Sequence, residues 1–221
     1  MTRELLVLLD LDGTIIDSAP GIIEGMRRAF ADVQREVPDD DVLRSWIGPP
    51  VLRTFERELG AQGPDAVAQA NAAFREYFDA VGAHQTEPFP GMPEVLGSLD
   101  SAGAVIVVVT HKPLPLAELA LASHELRALV RSVYAPPSPG VWVPKEDLFA
   151  AALAEHPGLV MVAAGDRGGD VKAAAAHGVP SVGVTWGYGT AEELRDAGAV
   201  VLAATADELP AMLRQAAAHA A

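Results

Sequence analysis

Leu5-Leu6-Val7-Leu8-Leu9-Asp10-Leu11-Asp12-Gly13-Thr14 is the stretch on which the fold turns. Five aliphatic residues without a polar break read as a strand buried on both faces, the habit of a parallel sheet. The run is cut at Asp10, and the Asp12-Gly13 pair marks a tight turn. Ligands of open α/β sheets bind beyond the carboxyl ends of the strands, so both aspartates are placed at a crevice. Gly13 lets the backbone turn sharply and bring N–H groups close to an anion. One carboxylate can then bind metal and attack while the other handles protons. The plain alternative is an acidic turn without chemistry.

Working outward, residues 105–109, 160–164, 181–184 and 200–202 repeat the short, β-branched character of the first run. Helix-patterned segments lie between them at 93–102, 114–130, 145–155 and 170–177, an alternation that predicts a doubly wound, Rossmann-like parallel sheet. After one of these strands comes Gly165-Asp166-Arg167-Gly168-Gly169-Asp170. A second acidic cluster at a second strand exit completes an all-oxygen site suited to magnesium, and two such clusters by chance are much less expected than one.

Residues 17–88 differ, because no strand-like run occurs there. Helices are expected at 21–37, 39–46, 51–59 and 64–81, with Pro38, Gly48-Pro49-Pro50, Gly63-Pro64 and 88–91 as breakers. The organisation predicted is an α/β core over 1–16 and 89–221 with an inserted all-helical domain over 17–88. The Ala-rich stretch 216–221 reads as a fraying terminal helix.

Sixteen Lys and Arg against thirty Asp and Glu give a net charge of −14, which repels nucleic acid and anionic membrane. With no cysteine, disulfides, thiolate catalysis and Cys-rich zinc sites are excluded, and a reducing cytoplasm is the expected setting. The apolar runs are too short for a signal-peptide core or a membrane span.

The motifs together resemble the haloacid dehalogenase superfamily, and within it the phosphoglycolate phosphatase-like group with a helical cap. Asp10–Thr14 match D-x-D-G-T, Thr110 the Ser/Thr motif, Lys145 the lysine motif, and Gly165-Asp166 with Asp170 the G-D-x-x-x-D motif, all in order. Ile47-Gly48-Pro49-Pro50 followed by Phe55, Pro90-Gly91, and Gly183-Val184-Thr185-Trp186-Gly187-Tyr188-Gly189 are similar to further segments of that group. The resemblance implies hydrolysis of a small phosphorylated metabolite in two steps, with Asp10 as nucleophile and Asp12 as acid and base. It implies Mg²⁺ held by Asp10, the backbone carbonyl of Asp12 and Asp166, with Asp170 supporting. Thr110 and Lys145 would bind the transferring phosphoryl group, assisted by backbone at Gly13 and His111.

Departures are His111 after Thr110, the Pro-rich stretch 136–144, and the lack of K-P-x-P after Lys145. Lys145 has a rival reading as a solvated lysine at a helix start, and Lys112 is read as structural or peripheral. Arg27, Arg28, Arg44, Arg53 and His84 are candidate substrate-reading groups of the insert, against the plainer reading of solvated surface charges. Trp186 and Tyr188 either line the crevice or pack beneath the following helix. Dehalogenation does not need Asp12, and a Schiff-base phosphonatase needs a cap lysine, of which residues 14–88 have none. A sugar phosphomutase and a non-catalytic binding protein are the alternatives to a phosphatase, and monomer and homodimer both stand open.

Overall fold

The computed structural model describes residues 5–219. The chain divides into two compact units, Met1–Ile16 with Pro88–Ala221, and Asp17–Glu87. Strand β1 (Leu5–Leu9) is followed by β2 (Ile16–Asp17) and four helices, α1 (Ala19–Asp32), α2 (Asp40–Ser45), α3 (Val51–Leu59) and α4 (Pro64–Ala80). The chain returns through β3 (Glu87–Pro88), which pairs with β2. Alternation follows: α5 (Met92–Ser101), β4 (Val105–Val109), α6 (Leu114–Ser123), β5 (Ser132–Tyr134), α7 (Lys145–Glu155), β6 (Val160–Gly165) and α8 (Gly168–Ala175). It ends with β7 (Ser181–Val184), α9 (Ala191–Asp196), β8 (Val201–Ala203) and α10 (Leu209–Ala218).

The larger unit is a six-stranded sheet in the order β5-β4-β1-β6-β7-β8 with parallel pairings. Successive side chains of a strand face opposite ways, so β1 feeds two cores. Val7 and Leu9 join Leu96, Leu121 and Leu213, on α5, α6 and α10. Leu6 and Leu8 join Leu148, Phe149 and Ala173, on α7 and α8. Helices on both faces explain why the strand sequences lack polar alternation.

The helical unit has its own core. Phe55 on α3 is fully buried, edge-on to Phe30 at 6.3 Å and to Phe74 at 6.0 Å, while Trp46 stacks on Phe30 at 5.9 Å. Prolines in the first turns of α1 and α4 cost no hydrogen bond there and fix φ for helix entry.

Several boundaries differ from the sequence expectation. The helix expected over 114–130 stops at Ser123, because Glu125 adopts a positive φ of 59° and the chain re-forms only a short 3₁₀ turn at Arg127–Leu129. The helix expected over 21–37 spans Ala19–Asp32 and is closed by Gln34 at φ 55°. Three strands escape the pattern, β2, β3 and β5, each of two or three residues. The terminal helix is seen to Ala218, and 220–221 lie outside the described residues. No helix among the described residues is long and apolar enough to cross a membrane.

Candidate active site

Register brings the motifs to one place. Leu9 lies opposite Val108 on β4 and Ala164 on β6, so Asp10, Thr110 and Asp166 leave three adjacent strands at the same edge of the sheet. Strands adjacent in a sheet are about 4.8 Å apart, which sets the scale of the site. The chain order runs one way from β1 through β4 to β5 and the other way from β6 through β7 to β8. Asp10 and Asp166 therefore flank the switch point, where open α/β sheets hold their ligands.

Carboxylate oxygens of Asp10, Asp166 and Asp170 lie within 4.8 Å of one another, and all three residues are buried. Burial pushes the Asp10 carboxyl up to about 7, with the charge of Asp170 adding to the rise and Lys145 opposing it. Asp166 is raised well above the usual carboxylate range, by burial first and then by Asp170 and Asp10. Its Oδ2 accepts the Tyr188 N–H at 2.7 Å. Asp170 is committed on both oxygens, to the Lys145 ammonium and to the Arg167 N–H, the latter at 3.0 Å. Asp10 Oδ1 differs: it is buried without a hydrogen bond, although Lys145 Nζ stands 3.0 Å away. A cluster of buried carboxylates that outnumbers its ammonium partners fits a hard divalent cation such as Mg²⁺. Counting Asp12 and both lysines, four carboxylates face two ammoniums, a deficit equal to one divalent ion.

Lys145 opens α7 with its side chain only 7% exposed, so the reading of a solvated lysine is overturned. Burial lowers the Lys145 pKa, but Asp10 and Asp170 outweigh it and hold the group firmly protonated. Thr110 is buried; its Oγ1 accepts the Lys112 N–H at 3.1 Å and retains its own O–H to donate. His111 lies against Trp142 with ring centroids 4.6 Å apart. Burial, with the Lys145 charge adding, lowers the His111 pKa to about 4, and its Nε2 is buried without a hydrogen bond. It carries no imidazolium proton at pH 7. Lys112, read from the sequence as structural or peripheral, is buried and not peripheral. Its Nζ reaches both oxygens of Asp12, at 2.9 and 3.3 Å. A lysine three places past a strand end has no pattern that reveals this, because the partner is fixed only by sheet order.

The Gly183–Gly189 segment resolves as support. Trp186 Nε1 donates to the Thr14 carbonyl at 3.1 Å, and its ring packs on the core. Tyr188 is buried and supplies the N–H to Asp166. Gly187 lies so close to Asp166 and the Gly13 carbonyl that a Cβ there would overlap both. Gly13 itself has φ 88°, and a Cβ on it would overlap the Asp166 carboxylate. In the helical unit Arg27, Arg28 and Arg53 pair with Asp40, Glu24 and Glu56. All three are surface pairs, with the arginine side chains 46%, 57% and 60% exposed.

The sequence profile of the haloacid dehalogenase-like hydrolases matches residues 5–178. The chain belongs to the haloacid dehalogenase-like hydrolase family. This haloacid dehalogenase-like hydrolase is 35% identical over 208 residues to the tyrosine-protein kinase PtkA of Mycobacterium tuberculosis, covering 92% of its own chain and 70% of the relative. It is 32% identical over 214 residues to the phosphoglycolate phosphatase of Yersinia pestis, covering 93% and 92%. A predicted phosphatase from Clostridium acetobutylicum superposes with a TM-score of 0.87 at 30% identity, over 97% of this chain and all of that one. The haloacid dehalogenase-like hydrolase described here is thus an enzyme, with the expected α/β core.

Proposed function

We propose that the protein is a Mg²⁺-dependent phosphatase acting on a small phosphomonoester, phosphoglycolate-like or a sugar phosphate, through an aspartyl-phosphate on Asp10. One observation carries the reading: the buried Asp10 carboxylate stands 3.0 Å from the Lys145 ammonium and within the Asp10, Asp166, Asp170 cluster. Mg²⁺ held by Asp10, the Asp12 carbonyl and Asp166, with Asp170 in support, would supply the positive charge that lets one anion approach another.

The Asp10 oxygen bonds to phosphorus as the bond to the leaving oxygen breaks, and Asp12 gives that oxygen its proton. The Thr110 hydroxyl donates to a phosphoryl oxygen, the Lys145 ammonium offsets its charge, and the backbone N–H of His111 completes the cradle; the Gly13 N–H, expected there from the sequence, is instead taken by the Ile16 carbonyl at 2.9 Å. Water then attacks phosphorus, Asp12 takes its proton, and the bond to Asp10 breaks to release inorganic phosphate. We assign choice of substrate to the helical unit, which enters the chain directly after the nucleophile's turn, and place the activity in the cytoplasm.

Phosphate release from an aryl phosphate tests this. Chelation by EDTA should silence the protein, Mg²⁺ restore it and Ca²⁺ inhibit it, since looser coordination lets a carboxylate lose its line of attack. Asp10→Asn should lose at least about a thousandfold in turnover and show no phosphoryl group on its peptide by mass. Full activity in chelator, or phosphate found on another residue, contradicts the mechanism. A second reading, transfer to a hydroxyl other than water's, draws on the kinase-named relative at 35% identity. It requires phosphorylated acceptor to replace free phosphate as the product.

A further inference from the structure

We propose that Lys112 is the positioning residue that fixes the carboxylate of Asp12, an inference that rests on Asp12 being the acid and base. Asp12 lies beyond the end of β1, in the turn where it bridges to Ile16. Its backbone is held there, but an aspartate side chain on a turn has several staggered rotamers open to it. Lys112 lies beyond the end of β4, the neighbouring strand, and spans the gap to take both oxygens of Asp12 at 2.9 and 3.3 Å. Its side chain is 3% exposed and that of Asp12 16%.

Lysine is almost never buried so deeply without a partner, so the pair is built rather than incidental. The same residue's N–H bonds the Thr110 hydroxyl at 3.1 Å, which ties the phosphoryl-binding group and the proton carrier to one backbone segment. Lys145 is already engaged by Asp10 and Asp170. The two lysines thus divide the carboxylates between them, Lys145 serving the nucleophile's side and Lys112 the proton carrier.

A merely structural lysine would weaken the protein as a whole. A positioning lysine for Asp12 is felt only in the step that uses Asp12, and leaving-group chemistry separates the steps. With 4-nitrophenyl phosphate the phenolate departs without needing a proton, so Asp12 is required only when water cleaves the aspartyl-phosphate. In the Mg²⁺-loaded protein, Lys112→Met should release one nitrophenolate per molecule in a burst within about threefold of the parent rate. Steady turnover afterwards should be roughly 10–100-fold slower, a fraction of what a general base contributes. With an alkyl phosphate both steps should slow and the burst disappear. Lys112→Arg should recover turnover to within about fivefold, and Lys112→Gln serves the same comparison where Met does not fold.

Adding Lys112→Met to Asp12→Asn should cost less than about twofold more than Asp12→Asn alone, because residues acting as a unit are not additive. Equal loss in both steps on the aryl ester, or full additivity in the double variant, overturns the proposal. A readout independent of turnover keeps it apart from the activity reading. The crystal structure of Lys112→Met should show the Asp12 carboxylate displaced or split between rotamers. An unmoved Asp12 overturns the positioning role even in a protein that hydrolyses phosphate esters well. A parent that releases no phosphate, with Asp12 displaced in the variant, overturns only the activity.

Discussion

Asp10 and Asp166 are held where water would ordinarily be needed to keep them charged, and their raised pKa values record that cost. The sign follows directly. A carboxyl whose pKa is about 7 folded and near 3.8 unfolded holds its proton in the folded state over that interval. Its favourable contribution is complete at low pH and is lost as pH rises through 7. A divalent cation reverses the balance by binding the ionised forms. The rise in Tm on adding Mg²⁺ should therefore grow from pH 5 to pH 8. It should reach roughly 5–10 °C at a Mg²⁺ concentration about a hundred times its Kd. Differential scanning fluorimetry of the parent and of Asp166→Asn measures this, and the variant should lose most of the Mg²⁺ response. A response equal at both pH values would show that these carboxyls do not take the ion.

At the scale of elements, the turn after β1 works only because its glycine permits two things together, a φ of 88° and the close approach of Asp166. Gly13→Ala should lose at least about a hundredfold in turnover, and backbone strain of about 1–3 kcal/mol should lower Tm by a few degrees. Gly198→Ala is the matched control, with φ 96° and nothing within 4 Å of its would-be Cβ, so turnover should hold while strain remains. Strands β1, β4 and β6 were legible because five or so apolar residues in a row have no other comfortable place. Strand β5 was not, because three residues, Ser132–Tyr134, at the edge of the sheet make no pattern. The helix after β4 was read too long for a different reason: leucine and alanine recur along 114–130 on both sides of Glu125, and the break lies in the backbone there. Asp10, Asp166 and Asp170 could be named from their places after strands. The tie between Lys112 and Asp12 could not, since it joins residues a hundred positions apart.

For the molecule as a whole, the net charge of −14 works against any anionic substrate at long range, so attraction has to be local. Buried Lys112 and Lys145 are the cationic side chains at the site, and the proposed divalent ion would add to them. The sheet unit has cores built from its own residues, and the helical unit has an aromatic core of its own. Replacing Asp17–Glu87 by a short Gly/Ser linker should leave a folded sheet unit that still turns over a small aryl phosphate and has lost the parent's ranking of metabolites. Released phosphate across a panel of phosphomonoesters reads the outcome. An unchanged ranking would move selectivity to the sheet unit, where His111 and Trp142 are the first residues to vary.

The central place of β1 also imposes an order on synthesis. Its neighbours in the sheet are β4, which ends at Val109, and β6, which ends at Gly165. The strand that leaves the ribosome ahead of both must wait for partners that follow an entire inserted unit. At ~5–20 residues per second the delay is roughly 5–30 s. The helical unit is one continuous stretch and can close during that wait, while Leu5–Leu9 remains an unpaired apolar segment tethered to it. Exposure of such a segment invites association between nascent chains, so the strand that carries Asp10 at its end is a part of this protein that chaperone cover would protect.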